Sequence, residues 1–112
     1  MSRDKQIIGE QFEKDCANLL DMQRTWSSGA TLDNADLTDD HLLIECKVKN
    51  TVDGISIPKS LIEKVKEQAT KWRRDWAIAS RTKAGDFIVL PVDVFAEIYE
   101  EYKKHKRDIP YG

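Results

Sequence analysis

ADLTDDHLLIECKVKN, residues 35–50, is the stretch on which the reading of this chain turns. Residues 42–48 (LLIECKV) are short, apolar and bounded by polar turn residues, the pattern of a buried strand. Glu45 and Lys47 interrupt that pattern. Side chains alternate along a strand, so Leu42, Ile44, Cys46 and Val48 share one face while Leu43, Glu45 and Lys47 share the other. A carboxylate and an ammonium therefore emerge side by side from a strand that otherwise belongs to a core. Upstream, Asp36-Leu37-Thr38 opens a partner strand, and Asp39-Asp40 supplies the two-residue turn an antiparallel pairing needs.

Outward from this hairpin the chain divides cleanly. Ile8, Phe12, Cys16, Leu19 and Leu20 recur at helical spacing and predict an amphipathic helix from Ser2 to Met22, with Glu13 on the rim of its apolar stripe. Ser27, Ser28, Gly29, Asp33 and Asn34 mark a loop between short extended pieces. Pro58 starts a second helix, expected to end near Arg74, with Leu61, Ile62, Val65, Gln68, Ala69 and Trp72 facing inward. WAIAS (76–80) and FIVL (87–90) read as strands joined by the TKAGD turn, and a last helix runs from Val94 to Lys104. Residues 105–112 are expected to form a flexible basic tail. The order α-β-β-β-α-β-β-α predicts one α/β domain over residues 1–112, a central mixed sheet flanked by helices.

Composition narrows the class. The chain has 112 residues, 40% hydrophobic and 34% charged, and no apolar run of the roughly 18 residues that would span a membrane. Its charged N-terminus does not resemble a signal peptide, and Cys16 and Cys46 read as small hydrophobes of a reducing cytoplasm rather than a disulfide or metal pair. The net charge of −2 is unevenly spread. Residues 1–46 hold 4 basic and 10 acidic side chains, residues 47–83 hold 10 and 4, and residues 84–112 hold 4 and 6. An acidic part able to collect metal thus precedes a basic part able to hold polyanion.

The hairpin carries the chemistry. Asp36 on one strand and Glu45 on the other project from one end of the sheet, and two carboxylates held close repel unless a cation lies between them. Mg²⁺ is held by one or two carboxylates, waters and a substrate phosphate. Lys47 on the same face can position or deprotonate a water, or neutralise charge at phosphorus, which suits metal-assisted phosphodiester hydrolysis. Asp33 is the rival to Asp36, although Asp33-Asn34 reads as a turn. Taken alone, a Glu-x-Lys triplet at a strand edge is more often a cross-strand ion pair.

Asp36-x8-Glu45-Cys46-Lys47 resembles the PD-(D/E)XK nuclease motif, with Ala35 where that family often has proline. Gly9-x3-Glu13, Arg24-Thr-Trp-Ser-Ser-Gly-Ala, Ala35-Asp36-Leu37 and Ile44-Glu45-Cys46-Lys47-Val48 follow the order and approximate spacing of archaeal-type and viral Holliday junction resolvases. The resemblance implies a restriction-endonuclease-like core in a bacterial, archaeal or virus-infected host cytoplasm. It implies an Mg²⁺-dependent acidic site (Mn²⁺ substituting) built from Glu13, Asp36, Glu45 and the main-chain carbonyl of Cys46. It further implies Lys47 as catalytic lysine, Arg24 and Ser28 (or Ser27) near the scissile phosphate, and a homodimer that nicks two opposed strands of a four-way junction. No nucleotide cofactor is implied. Lys49, Lys59, Lys64, Lys66, Lys71, Arg73 and Arg74 are candidate phosphate contacts, or else a solvated helix surface. Gln68, on an inner helix stripe, either supports the site lysine or is structural. His41 and His105 read as surface residues. The low net charge keeps two alternatives open, namely a repair, nicking or restriction-type nuclease of the same superfamily and a non-catalytic DNA-binding subunit.

Overall fold

The computed structural model describes residues 2–24, 36–49 and 54–108, with side chains for 7–24, 36–49 and 54–106. Ser27, Ser28 and Asp33 lie outside the described residues. The elements are α1 (Ser2–Leu20), β1 (Gln23–Arg24), β2 (Leu37–Thr38), β3 (Leu42–Lys49), α2 (Lys59–Trp72), β4 (Asp75–Thr82), β5 (Gly85–Val89) and α3 (Val92–Asp108). Their sequence is the α-β-β-β-α-β-β-α expected, and the fold is α/β with a five-stranded mixed sheet flanked by helices. No described helix is long and apolar enough to cross a membrane.

The strands lie side by side in chain order, β1-β2-β3-β4-β5. All neighbours are antiparallel except β3 and β4, which run parallel from Leu42↔Asp75 to Lys49↔Thr82 with α2 as the crossover. The alternation read from LLIECKV holds. Ile44 packs on the α1 side with Phe12, Met22, Leu37, Ala77 and Ala79, and Cys46 and Val48 join that cluster. Leu43 packs on the α2 side with Ala69 and Trp76. Both faces of β3 and β4 are therefore covered, as a parallel pair requires.

Local chemistry sets the element ends. Asp21 takes a left-handed conformation (φ 53°), which its short polar side chain tolerates, and Met22 N–H donates to the Ala17 carbonyl at 3.0 Å to close α1. α2 closes the same way through Arg73 (φ 55°), with Arg74 N–H donating to the Ala69 carbonyl at 2.9 Å.

Several boundaries differ from the sequence reading, each for a visible reason. The β2–β3 turn is centred on Asp40-His41 rather than Asp39-Asp40, because the Asp39 carboxylate accepts the backbone N–H groups of His41 and Leu42 at 2.8 and 2.9 Å. β4 and β5 extend through polar residues to a tight Lys83-Ala84 turn, since Arg81 and Asp86 pair across the strands at 2.9 Å. Trp72 is exposed, because Val65, Gln68 and Ala69 already cover the sheet. Ile8, Leu19 and Leu20 are exposed too, so among the described side chains of α1 Phe12 is the one fully in the core. α3 starts two residues earlier than expected and continues past Lys104 to Asp108, so the first part of the expected tail is helical.

Candidate active site

The register builds the site. Leu37 pairs with Ile44, so continuing the ladder one residue sets Asp36 opposite Glu45. Asp36 lies just before β2, and its Oδ2 accepts the Cys46 N–H at 2.8 Å. Glu45 and Lys47 are two positions apart on one face of β3, and Lys47 Nζ lies 3.5 Å from Glu45 Oε2. Cys46 thus enters the site through its N–H, while its thiol belongs to the core on the other face.

A further cation, read from the sequence only as part of the basic surface of the second helix, joins the carboxylates. Lys64 Nζ, from α2, lies 3.8 Å from the same Glu45 oxygen. Lys64 meets Glu45 while Ala69 meets Leu43, so α2 runs antiparallel to β3 and its N-terminal half overhangs the carboxylates. The only signal in the sequence was position: Lys64 precedes buried Val65 and lies one turn before buried Gln68. Gln68 is itself 4% exposed, and its Oε1 has no hydrogen-bond partner among the described residues.

Glu13 approaches from α1. Arg24 Nη2, on β1, donates to Glu13 Oε1 at 3.2 Å, so the pair links the first helix to the edge of the sheet. Arg24 Nε is buried and, among the described residues, unpartnered.

The carboxylates sense one another. Glu45 is 6% exposed, and burial pushes its carboxyl above the ordinary range; the charge of Asp36 adds to this, while Lys64 and Lys47 oppose it. Burial also raises Asp36, against the Cys46 N–H and the charges of Lys47, Lys64 and Arg24. Glu13 is raised by burial and then by Asp36, with Arg24 opposing. Asp36 is therefore the electrostatic centre, flanked by Glu13 and Glu45.

The basic residues divide into two groups. Lys47, Lys49, Lys59 and Lys64 lie toward the C-terminal end of β3 and the N-terminal half of α2, with Lys59 3.7 Å from Glu63. Arg73 and Arg74 lie at the other end of α2, roughly 14 Å along the helix axis from Lys64 at about 1.5 Å per residue. Arg74 Nη1 donates to Thr38 Oγ1 at 2.8 Å and ties α2 to β2. Lys66 is exposed beside Thr70 and Arg74, in a cleft beneath the start of α3. His41 and His105 are exposed.

Among the described residues, no group of three or more His, Cys, Asp or Glu side chains is arranged to hold a metal ion. The donor chemistry nevertheless fits a hard divalent cation. Asp36 Oδ1 and Glu45 Oε1 take no part in the contacts above, and one or two carboxylates suffice for Mg²⁺ when waters and a phosphate complete its sphere. Glu13 is instead engaged by Arg24.

Comparisons of the chain with models of known protein families, with characterised proteins and with solved structures find no match.

Proposed function

We propose that this chain is a divalent-metal-dependent DNA endonuclease with a restriction-endonuclease-like core, acting as a Holliday junction resolvase. The observation that carries the reading is Asp36 opposite Glu45, with Lys47 on the same strand face as Glu45 and 3.5 Å from it. A structural ion pair needs no second carboxylate beside it, and clustered carboxylates are costly unless a cation joins them. The resemblance of Gly9-x3-Glu13 and Asp36-x8-Glu45-Cys46-Lys47 to the resolvase pattern supports the same chemistry.

Asp36 and Glu45 would hold the ion. When bound, Mg²⁺ or Mn²⁺ supplies Lewis-acid polarisation of the phosphate and a more acidic water. The chain supplies the rest. Asp36 is fixed by the Cys46 N–H, and Glu45 is held by two ammonium groups in a largely water-excluded position. Lys47, 40% exposed at its side chain, can turn its ammonium from Glu45 toward a phosphate oxygen or the attacking water. Lys64 then remains to compensate Glu45. Branched DNA would be selected by shape, since bending and unstacking at a junction are read as energy without base contacts.

The test is cleavage of a labelled immobile four-way junction beside linear duplex, single strand and flap, with Mg²⁺ and with Glu45→Gln as control. Paired symmetric nicks in the junction, absent in the variant, are expected. The net charge of −2 favours one other reading, a repair, nicking or restriction-type nuclease, because proteins that hold large branched DNA by phosphate contacts tend to be basic. Cleavage confined to linear or flap substrates would select it. No cleavage of any of these with either metal would overturn both.

A further inference from the structure

The sheet ends at β5 with an edge that is open rather than blunted. Among the described residues no strand pairs with its outer side. Lys83-Ala84 make a two-residue turn, so Thr82↔Gly85 is the hydrogen-bonded pair that closes it. Hydrogen-bonded and non-hydrogen-bonded pairs alternate along an antiparallel ladder. Gly85, Phe87 and Val89 therefore bond to β4, and the N–H and C=O groups of Asp86 and Ile88 point away from the sheet. Edge strands that avoid pairing commonly carry a lysine, a proline or a bulge, and β5 (GDFIV) has none of these. Phe87 and Ile88 instead leave apolar surface on both of its faces, at 41% and 46% exposed.

A cavity of about 260 Å³ lies beside this edge, between α1 and the sheet, lined by Phe12, Cys16, Leu19, Leu20, Ala79 and Ile88. Ile88 pairs with Ala79, which packs on the α1 side, so Ile88 and Asp86 both face α1. A strand added to β5 would lie about 4.8 Å further out. Its side chains beside Asp86 and Ile88 would enter the space between β5 and α1, where Leu19 and Leu20 are exposed.

Charge selects the occupant. Asp15 and Asp86 stand at the cavity, and Arg81 bonds to both, at 3.0 and 2.9 Å. Hydrogen bonds from Gln11 and Arg81 hold Asp15 below the ordinary carboxylate range, and Arg81 does the same for Asp86, so both stay ionised. One guanidinium between two carboxylates leaves this cluster one negative charge in excess. A segment with a lysine or arginine among apolar residues complements it. A second copy would bring the same excess of carboxylate, and a nucleic acid is a polyanion, so neither does.

We propose that β5 is a docking edge for an extended, apolar and basic segment of a partner protein. The segment adds a strand to the sheet by backbone pairing and sets an aliphatic side chain in the cavity against α1. The proposal does not rest on the nuclease reading, since β4 separates β5 from β3 and its carboxylate.

Fluorescence anisotropy with a labelled peptide tests it. The probe alternates valine with threonine and carries one lysine at a valine position. Only every second residue of a docked strand turns its N–H toward β5. N-methylation of one alternate set should therefore abolish binding, and methylation of the other set should preserve it. Ile88→Pro removes an outward N–H and leaves the β4–β5 ladder bonds in place, so its circular dichroism spectrum should match the wild type. Its affinity for the probe should fall about tenfold or more. Aspartate in place of the peptide's lysine should weaken binding to the wild type, and weaken it less for Asp15→Asn. No binding of the lysine peptide at millimolar concentration, equal effects of the two methylated sets, binding unchanged by Ile88→Pro, or preference for the aspartate peptide would each overturn the proposal. So would a dimer mass in sedimentation that Ile88→Pro reduces to the monomer, because the edge would then belong to a second copy.

Discussion

Replacing Asp36 by asparagine and by alanine separates what this residue does for the fold from what it does for the chemistry. Its Oδ2 accepts the Cys46 N–H at 2.8 Å, and its charge raises the pKa of both Glu13 and Glu45. Both substitutions remove the charge and relieve that repulsion equally. Only asparagine keeps an oxygen for the Cys46 N–H. The stability difference between the variants therefore reports the hydrogen bond, and leaving such a donor unpaired costs about 1–3 kcal/mol. For a chain of 112 residues, a destabilisation of 1 kcal/mol lowers the melting temperature by about 4 °C, so Asp36→Ala should melt about 4–12 °C below Asp36→Asn. Urea unfolding at neutral pH with chelator present gives the free energies, and junction cleavage gives the activity. Asp36→Asn should match or exceed the wild type in metal-free stability while losing cleavage and retaining DNA binding. Equal stability of the two variants would refute the assigned hydrogen bond. Full cleavage by Asp36→Asn would remove Asp36 from the chemistry.

The raised carboxyl pKa of Glu45 fixes the sign of a pH effect: the native state binds its proton more tightly than the unfolded chain does. The resulting stabilisation is fully present below the ordinary glutamate value of 4.5 and is lost as pH rises through the native value, so metal-free stability should fall toward neutral pH. Glu45→Gln should flatten that slope and raise stability at neutral pH, measured by urea unfolding at a series of pH values; an unchanged slope would contradict the assignment. Arg73→Gly should stabilise by about 1 kcal/mol, because a left-handed residue is cheap only for glycine; if Arg73 also contacts phosphate, the same variant should weaken DNA binding and lower its salt dependence, read by fluorescence anisotropy. Ile44→Ala, fully buried between α1 and the sheet, should cost about 2–5 kcal/mol by cavity formation, seen as a matching loss in urea unfolding.

The hairpin was legible because its information is local. Alternation in LLIECKV gives the faces of β3, and the turn residues before it bring Asp36 to Glu45 with an error of one residue in the turn itself. What escaped the reading depends on how elements dock. Lys64 reaches Glu45 only because α2 lies antiparallel across β3, an arrangement no spacing within α2 announces. Trp72 belongs to the same helical stripe as Val65 and Ala69, yet the sheet ends before it is covered. The Arg81–Asp86 pair extends two strands through positions whose polarity suggested a turn. The aromatic residues of α3 lie outside the core, and among the described side chains of that helix only Val94 is buried.

The uneven charge of the chain acquires a physical reason from this arrangement. All three clustered carboxylates (Glu13, Asp36 and Glu45) come from the acidic residues 1–46, and the ammonium groups facing Glu45 come from the basic residues that follow. The changeover falls between Glu45 and Lys47, within a single strand. An isolated buried carboxylate would protonate or unfold the sheet locally, whereas one facing two mobile ammonium groups can stay ionised without being locked to either. That distinction matters for a phosphate site. Lys47 and Lys64 are both half exposed, at side-chain values of 40% and 52%, so either can leave Glu45 for an incoming anion at small cost in dehydration. Two lysines on one carboxylate therefore allow one to serve substrate while the other preserves the fold. Removing Lys64 alone should accordingly slow cleavage less than removing Lys47 while destabilising the ionised Glu45 more, a split that stability and single-turnover cleavage measured on the same two variants would reveal.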